Sequence, residues 1–320
     1  MTHSPLPDLA ISVRGLVKTY AARGKSGPKT ALQGIDLDIP RGSVFGLLGP
    51  NGAGKSTFIN ILAGLVKKTA GSIRVWDRDP DRDPKGVSAA LGVVPQELNL
   101  DAFFTPRELL ELQAGLYGVP ARERQTDQLL AAVGLTDKAD AYSRSLSGGM
   151  RRRLMVAKAM VHAPPILILD EPTAGVDVEL RQTLWAHVRT LNRAGTTIVL
   201  TTHYLEEAED LCDRIAIINH GRVIACEDTP ALLGRLDSKT LTLTLDRDLN
   251  AVPPGLADWT TEQPSPRRLV VHYRPSRDSI GPVLAALQAA GIGVVDISVD
   301  EASLEDVFLQ LTRDSHAQVA

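Results

Sequence analysis

The sequence predicts an α/β fold in which helices cover both faces of a largely parallel β-sheet. Short apolar runs alternate with amphipathic stretches along most of the chain, which is the pattern of alternating strands and helices. Within these runs apolar residues occupy successive positions, as expected for strands that are buried on both faces. Five runs carry this prediction, at residues 44–48, 91–94, 166–169, 197–200 and 215–218.

Four of the five runs lead directly into polar residues. The first enters a glycine-rich loop that begins at Gly49, and the other three precede Gln96, the pair Asp170–Glu171, and His203. Ligands of open α/β sheets bind at the carboxyl ends of the strands. We therefore predict that these segments bring their polar groups to one edge of the sheet, where they form a single site.

Composition and charge narrow the class of protein. Hydrophobic residues make up 43% of the 320 residues and charged residues 23%, with a net charge of -3, which suits a globular protein that does not bind nucleic acid. We interpret the densest basic run, Arg151–Arg153, as a solvated helix face. No apolar stretch approaches the ~20 residues that span a bilayer, and the polar start of the chain is not a signal peptide. A membrane path is therefore expected to need a separate subunit.

The patterning predicts a large domain, residues 9–236, and a small C-terminal α+β domain, residues 237–320. Inside the large domain, residues of about 97–160 have helical periodicity, so we predict an inserted helical subdomain with a helix that opens at Thr105–Pro106. In the small domain, strict alternation over residues 240–245 predicts a half-exposed strand.

Similar patterns predict the rest of the small domain. Residues 253–266 are rich in proline and poor in apolar residues, so we predict a loop there. Further strands are expected at 269–271 and 292–299, with a helix at 280–290 between them. Ser303 is expected to cap a last helix, with Asp306 three residues on and an apolar face made of Leu304, Val307, Phe308 and Leu311.

The motif with the most specific chemistry is a phosphate-binding loop, G-x-x-x-x-G-K-S. Its glycines let successive backbone N–H groups approach phosphate oxygens. Lys55 adds a positive charge to the terminal phosphates, and Ser56 places a hydroxyl on Mg²⁺. A glycine-rich structural turn is the alternative. The Gly-Lys-Ser at 24–26 lacks the earlier glycine, because position 19 is Thr19, so we interpret it as an exposed loop. The motif consists of Gly49, Pro50, Asn51, Gly52, Ala53, Gly54, Lys55 and Ser56.

Two further segments carry groups that suit ATP chemistry. Asp170 can hold Mg²⁺ directly or through water, and Glu171 can orient a water in line with the γ-phosphate; an ordinary acidic turn is the alternative. Ser147, with Gly148 and Gly149 at the start of a helix, forms a second small anion site or a simple helix cap. The chain then has two helix ends that could bind an anion but only one adjacent pair of acids. This is explained if each ATP lies between two copies of the chain.

Residues of about 9–230 resemble the nucleotide-binding domain of ABC transporters, a P-loop NTPase. The phosphate loop is similar to the family's Walker A motif, and Asp170–Glu171 to Walker B with its catalytic base. Leu146–Met150 is similar to the signature, although Met150 replaces the more usual glutamine. Residues 174–177 keep the D-loop aspartate, Asp177, but depart from the commonest Ser-Ala-Leu-Asp form.

The resemblance implies roles for individual residues. Gln96 matches the Q-loop, which in the family contacts Mg²⁺ and the membrane partner, and His203 matches the switch histidine that touches the γ-phosphate. Tyr20 stands where the family stacks an aromatic ring on adenine, with a core tyrosine as the alternative. Catalytic roles are implied for Glu171, His203 and Gln96, metal binding for Ser56, Gln96 and Asp170, ATP contacts within one chain for Tyr20, residues 49–56 and Thr57, and ATP contacts across two chains for Ser147, Gly148, Gly149 and Asp177.

Two segments, residues 201–208 and 302–308, resemble the ATPases of ABC-2-type exporters, which serve drug, polysaccharide and related export. This resemblance implies a homodimer of cassettes that binds ATP and Mg²⁺ and energises a separate transmembrane permease from the cytoplasmic face of the membrane. An importer ATPase is the nearest alternative, and a soluble ABC ATPase outside transport is another. The cargo stays open, because substrate contacts belong to the permease.

Two contact surfaces are hypotheses at this point. Phe103 and Phe104 lie directly beyond Gln96, and exposed aromatic pairs often anchor interfaces, so we expect them to dock the permease unless they are buried in the helical subdomain. Phe308 and Leu311 are candidates for a contact that holds two tails together between rounds of hydrolysis. Packing inside the tail is the alternative for this second pair.

Overall fold

The computed structural model describes residues 6–21, 27–97, 99–174 and 178–317. The chain forms two compact units, which divide between Thr229 and Pro230. Thr229 is tied into the first unit, because its backbone N donates to Asp213 O at 3.0 Å and its Oγ1 donates to Cys212 O at 2.5 Å.

The first unit contains nine strands and seven α-helices among the described residues, and an eighth α-helix begins at the division. Its strands are β1 Leu9–Tyr20, β2 Lys29–Pro40, β3 Val44–Leu48, β4 Ala70–Val75, β5 Leu91–Val94, β6 Ile166–Asp170, β7 Thr197–Thr201, β8 Arg214–Asn219 and β9 Arg222–Asp228. Its helices are α1 Lys55–Leu62, α2 Pro84–Ala90, α3 Pro106–Leu116, α4 Thr126–Ala132, α5 Gly148–Ala159, α6 Val178–Arg193 and α7 Leu205–Leu211, and α8 Thr229–Leu233 begins at the division.

A six-stranded sheet in the order β5-β6-β7-β3-β8-β9 forms the centre of the first unit. The first five strands in this order are parallel, and β9 pairs with β8 in the antiparallel direction. Every residue of β3 and β7 is buried, which is what their continuous apolar runs predict. The α/β prediction is confirmed, and the parallel strands place the carboxyl ends of β3, β5, β6 and β7 at one edge.

A three-stranded antiparallel sheet in the order β2-β1-β4 packs on the same core. Ile11 of β1, Ile35 of β2 and Ile73 of β4 belong to one apolar cluster with Phe45 of β3 and Phe58 of α1. The sequence patterns did not reveal this sheet. It carries Tyr20 at the end of β1, opposite the start of β2.

Helices α3, α4 and α5 form the helical subdomain between β5 and β6. A capping box opens α3, because Thr105 Oγ1 accepts from Glu108 N at 3.2 Å while Glu108 Oε2 accepts from Thr105 N at 2.9 Å. The subdomain has a core of its own, in which buried Leu110, Leu130 and Leu154 come from the three helices. The inserted helical subdomain is therefore present where it was predicted.

The second unit contains a four-stranded antiparallel sheet and, beyond α8, two α-helices among the described residues. Its strands, in the order β11-β12-β10-β13, are β10 Lys239–Leu245, β11 Thr260–Ser265, β12 Arg268–Tyr273 and β13 Val294–Glu301, and its helices are α9 Gly281–Ala289 and α10 Leu304–Ala317. Leu241, Leu243 and Leu245 are buried against Val283 and Leu287 of α9. The alternation along β10 therefore predicted its buried face.

Residues 260–265 form a strand where we predicted a loop. Strand β11 lies at the edge of its sheet beside β12, and five of its six residues are exposed. An exposed edge strand needs no apolar alternation, and it tolerates a proline such as Pro264 because one row of its N–H groups is unpaired. The loop prediction for 253–266 was wrong for this part of the segment.

The last helix begins as predicted. Ser303 Oγ donates to Asp306 Oδ2 at 2.8 Å, and Asp306 N donates back to Ser303 Oγ at 3.3 Å. Leu304 and Val307 are buried, whereas Phe308 and Leu311 are only partly buried. Within the described ranges, no helix is long and apolar enough to cross a membrane.

Candidate active site

The phosphate-binding loop runs from the end of β3 into α1, and close backbone contacts require its glycines. A Cβ added to Gly49 would lie 2.2 Å from Ile218 O, and one added to Gly54 would lie 2.8 Å from Ala31 O. Gly54 is also the N-cap of α1, with φ of 116°, a conformation that L side chains rarely adopt. The loop thus brings the backbone close around the start of a helix, where N–H groups favour an anion.

Lys55 is buried inside this loop. Its Nζ donates to Gly49 O at 2.6 Å and to Pro50 O at 3.3 Å. Burial lowers the pKa of Lys55, and the negative charges of Glu171 and Asp170 oppose that shift. A phosphate anion placed against Nζ would favour the charged form further. The side chain is therefore suited to hold an anion at the loop.

Thr201, the last residue of β7, fixes both acids at the end of β6. Thr201 Oγ1 donates to Asp170 Oδ1 at 2.5 Å, and Glu171 N donates to Thr201 O at 3.1 Å and to Thr201 Oγ1 at 3.0 Å. Glu171 has a φ of 50°, a region that costs a residue other than glycine about 1–3 kcal/mol. These hydrogen bonds hold Glu171 in a conformation that residues other than glycine seldom adopt.

The Glu171 carboxylate contacts two other predicted site residues. Gln96 Nε2 donates to Glu171 Oε2 at 2.5 Å, and His203 Nε2 lies 2.6 Å from Glu171 Oε1. These three residues follow β5, β6 and β7, which are neighbours in the sheet. The structure therefore brings together the polar groups that the strand ends were predicted to deliver to one edge.

A cavity of about 460 Å³ joins these three residues to the phosphate loop. This volume lies in the range of small-molecule sites, ~300–1,000 Å³. Tyr20 lines the cavity at 39% exposure, and its hydroxyl lies 3.5 Å from Thr57 Oγ1. The residues that line it are Tyr20, Lys29, Ala31, Asn51, Gly52, Ala53, Gly54, Lys55, Ser56, Thr57, Gln96, Glu171 and His203.

The signature residues do not line this cavity. Ser147 is the N-cap of α5, where its Oγ accepts from Met150 N at 3.2 Å, and both Ser147 and Gly148 are exposed. Gly149 follows in the first turn of α5 and is also absent from the lining. Asp177, the predicted D-loop aspartate, lies outside the described residues. The role of these four residues across two chains stays a prediction.

Asp170 also lies off the nucleotide cavity. It lines a second cavity of about 440 Å³ together with Pro95, Asn99 of the following segment, and Gln113 and Tyr117 at the end of α3. The segment beyond Gln96 and helix α3 therefore meet beside the acid pair.

Our interpretation of the basic run Arg151–Arg153 as a solvated helix face was wrong for Arg152, which is buried. It is 5% exposed, and its Nη1 donates to Pro95 O at 3.0 Å and to Gln96 O at 2.9 Å. Burial lowers the pKa of Arg152, while the charges of Asp170 and Glu171 raise it. Helix α5 turns this residue inward, so that it fixes the backbone that carries Gln96.

Sequence reasoning also missed Lys29, Ala31 and Thr201. Lys29 and Ala31 lie on β2 and line the nucleotide cavity. No pattern in the sequence predicted the sheet to which β2 belongs. Thr201 directly follows the predicted strand at 197–200, and its place one residue beyond that run was the one signal that could have identified it.

Comparison with known proteins assigns the family. Residues 32–174 match the family described as ABC transporter. The chain is 40% identical over 318 residues, 96% of this chain and 93% of the relative, to the daunorubicin/doxorubicin resistance ATP-binding protein DrrA of Streptomyces peucetius. The chain belongs to the ABC transporter family. It is also 36% identical over 305 residues, 94% of this chain and 93% of the relative, to the Nod factor export ATP-binding protein I of Ralstonia nicotianae.

Solved structures of ABC cassettes agree with the fold. The ATP-binding subunit of an ABC transporter superposes with a TM-score of 0.64 at 28% identity, covering 71% of this chain and 92% of that one. A dimeric cassette in a post-hydrolysis state with ADP and Pi superposes with a TM-score of 0.62 at 28% identity, covering 68% of this chain and 98% of that one. The chain is thus an ABC ATPase that binds and hydrolyses ATP, and the predicted P-loop NTPase fold is confirmed.

Proposed function

We propose that two copies of this ABC ATPase hydrolyse ATP at two shared sites and thereby drive export through a separate membrane-spanning subunit. The observation that carries the proposal is the contact of Gln96 and His203 with the Glu171 carboxylate, at the edge of the cavity that Lys55 closes. Because these groups come from separate strands, a nucleotide that binds the loop would present its terminal phosphate to all of them.

Each side chain at this edge has a task in hydrolysis. Lys55 binds the terminal phosphates, and Tyr20 is placed at the cavity wall to contact the adenine. Glu171 orients the attacking water in line with the γ-phosphate. Gln96 and His203 hold the two carboxylate oxygens of Glu171 at 2.5 Å and 2.6 Å, and His203 can then contact the γ-phosphate itself.

The available donors fit Mg²⁺. The Ser56 hydroxyl and the Gln96 amide oxygen line the nucleotide cavity, and Asp170, which lies off that cavity, would act through water. Mg²⁺ prefers oxygen ligands and is usually held by one or two carboxylates together with substrate phosphates and waters. Among the described residues no group of three or more His, Cys, Asp or Glu side chains could hold a metal ion. Bound Mg²⁺ would neutralise charge on the β- and γ-phosphate oxygens.

Each site takes its second half from the other copy. Ser147 is exposed at the N-terminus of α5 and does not line the cavity of its own chain. The start of this 12-residue helix provides N–H groups that favour an anion. Support for pairing comes from the dimeric cassette that resembles this chain. Gly148, Gly149 and Asp177 would complete the γ-phosphate contact from the second copy.

Export is favoured over import by the relatives. Their names refer to Nod factor export and to resistance to daunorubicin, doxorubicin or linearmycin. We infer that this chain energises outward transport of a small organic molecule, and that it works at the cytoplasmic face of the membrane, held there by its permease.

The permease is proposed to dock beside the second cavity. Phe103 is 75% exposed and Phe104 is 36% exposed, so the alternative in which both rings are buried is not favoured. Leu112 and Leu116, one turn apart on α3, are also exposed, as is Leu65 at the cavity rim. An apolar surface of this kind is typical of protein interaction sites.

Changing Phe103 and Phe104 to Ser is expected to reduce co-purification with the permease by at least tenfold, because aromatic anchors carry much of an interface's binding free energy. ATP binding and the melting temperature should change little. Val295→Ser, which removes an exposed apolar side chain from the second unit, is the control. Unchanged co-purification of the double variant would place the docking surface elsewhere.

We propose that the second unit is an accessory domain without a part in ATP chemistry. All residues that line the nucleotide cavity lie before residue 229, and the second unit has a core of its own. A contact between two tails would keep cassettes together after hydrolysis by raising their effective concentration. Phe308 and Leu311 are half-buried, so part of each side chain is available for it.

Deleting the chain from residue 237 onward is therefore expected to preserve nucleotide binding within about threefold. The fraction of dimer without ATP should fall, and light scattering measures it alongside titration with a fluorescent ATP analogue. A truncated chain that is folded but does not bind ATP would show that the tail belongs to the catalytic fold.

A further inference from the structure

Glu207 is a buried carboxylate that the nucleotide site does not use directly. It lies in α7, its side chain is 6% exposed, and it does not line the nucleotide cavity. Its Oε2 accepts from Thr173 Oγ1 at 2.9 Å and from Thr202 Oγ1 at 2.8 Å. A buried charge is costly unless it is paired and hydrogen-bonded, so these contacts hold the carboxylate strongly.

Arg181 of α6 balances the charge of Glu207. Its Nε lies 3.2 Å from Glu207 Oε1, an ion pair by distance whose angles do not make it a hydrogen bond. The Arg181 guanidinium also lies over the ring of Tyr204, with Cζ 4.3 Å from the ring centroid, which is a favourable cation–π contact. One ion pair thus connects α6, α7 and the residue that follows His203.

The partners of Glu207 lie next to the two catalytic groups. Thr173 comes two residues after Glu171, and Thr202 directly precedes His203. Thr202 Oγ1 also accepts from Tyr204 N at 3.0 Å, which closes a turn around His203. The segments that carry the base and the switch histidine are therefore bonded to one carboxylate.

The His203 side chain is exposed where it contacts Glu171. Its side chain is 45% exposed, yet its Nε2 lies 2.6 Å from Glu171 Oε1. An exposed side chain loses conformational freedom when it is held in one geometry, at a cost of up to ~2 kcal/mol. The backbone on both sides must therefore be fixed, and the network of Glu207 fixes it.

We propose that Glu207 is a positioning residue for ATP hydrolysis, which holds the Glu171 and His203 segments at contact distance through Thr173 and Thr202. The proposal rests on the proposed roles of Glu171 and His203. A displacement of about 1 Å in a catalytic group can cost a hundredfold in rate. Loss of this carboxylate should therefore lower turnover without weakening ATP binding, because none of the three side chains lines the nucleotide cavity.

Steady-state ATPase assays and ATP binding on the full-length chain test this. Glu207→Ala is expected to lower kcat by about 10- to 100-fold and to leave the Kd for an ATP analogue within threefold. Glu207→Gln keeps an acceptor oxygen for the threonines but loses the ion pair with Arg181, so its kcat should lie between those of Glu207→Ala and the unchanged chain. Glu206→Gln, an exposed neighbour in the same helical turn, is the matched control and should not change kcat.

A double-mutant cycle separates positioning from general stabilisation. Thr202→Val removes the hydroxyl with little change in shape, and its loss of kcat should not add to that of Glu207→Ala, because both break the same bond. Full additivity would overturn the proposal. A kcat for Glu207→Ala within twofold of the unchanged chain would also overturn it. If Glu207→Ala does not fold, the double variant Thr173→Val/Thr202→Val, which removes both hydroxyl donors to the carboxylate, decides; a kcat within twofold of the unchanged chain would then overturn the proposal.

The outcome for Glu171→Gln distinguishes a failure of the positioning role of Glu207 from a failure of the catalytic role of Glu171. If that variant is nearly inactive while Glu207→Ala has normal kcat, the positioning role is wrong and the hydrolytic assignment stands. If Glu171→Gln keeps normal kcat, the assignment of the base is wrong, and the positioning proposal falls with it.

Discussion

Glu171→Gln is expected to lower ATP turnover by at least 10²–10³-fold, the usual effect of losing a positioned general base, while ATP binding stays intact. Glutamine has the same shape as glutamate, but its amide is a poor base for the attacking water. Lys55 and the loop glycines, which hold the phosphates, are not altered by this change.

The same variant should accumulate a closed dimer with ATP, because the nucleotide that joins the two copies is no longer hydrolysed. Size-exclusion chromatography with Mg²⁺ and ATP measures the dimer, and single-turnover phosphate release measures the chemical step. Glu206→Gln serves as the control for an added amide on a nearby surface. Near-normal phosphate release from the purified Glu171→Gln variant would contradict the assigned role.

The central sheet could be predicted because of how it is buried. Strands β3, β5, β6, β7 and β8 lie between layers that cover both faces, so their residues had to be apolar at successive positions. The polar groups at their ends then converge by the geometry of parallel strands alone. Gln96, Glu171 and His203 meet for this reason, although they lie far apart in the chain.

The parts that could not be predicted depend on contacts without a local pattern. Strand β11 is an exposed edge strand, and nothing in its composition distinguishes it from a loop. Arg152 donates to Gln96 O across 56 positions of sequence, and a basic run on a helix gives no sign of which arginine turns inward. The contacts of Glu207 could not be predicted for the same reason, because its threonine partners come from two other segments. The spacing of residues along a single sequence does not indicate which distant residues contact one another.

Sharing of each site between two copies predicts complementation. Lys55→Ala removes the phosphate charge, and Ser147→Arg places a bulky cation at the start of α5. Each homodimer then has a lesion at both sites and should be nearly inactive. In a heterodimer of these two variants, one site keeps both Lys55 and Ser147, so ATPase activity should return.

The decisive comparison sets this heterodimer against a second one, in which the unchanged chain pairs with the double variant Lys55→Ala/Ser147→Arg. If sites are shared, both sites of the second heterodimer carry a lesion, whereas separate sites would leave the unchanged chain with an intact one. The measurement is the ATPase rate of each heterodimer, purified through two different affinity tags. We predict activity in the first heterodimer and almost none in the second. Activity in the second heterodimer without activity in the first would contradict the sharing of sites between two copies.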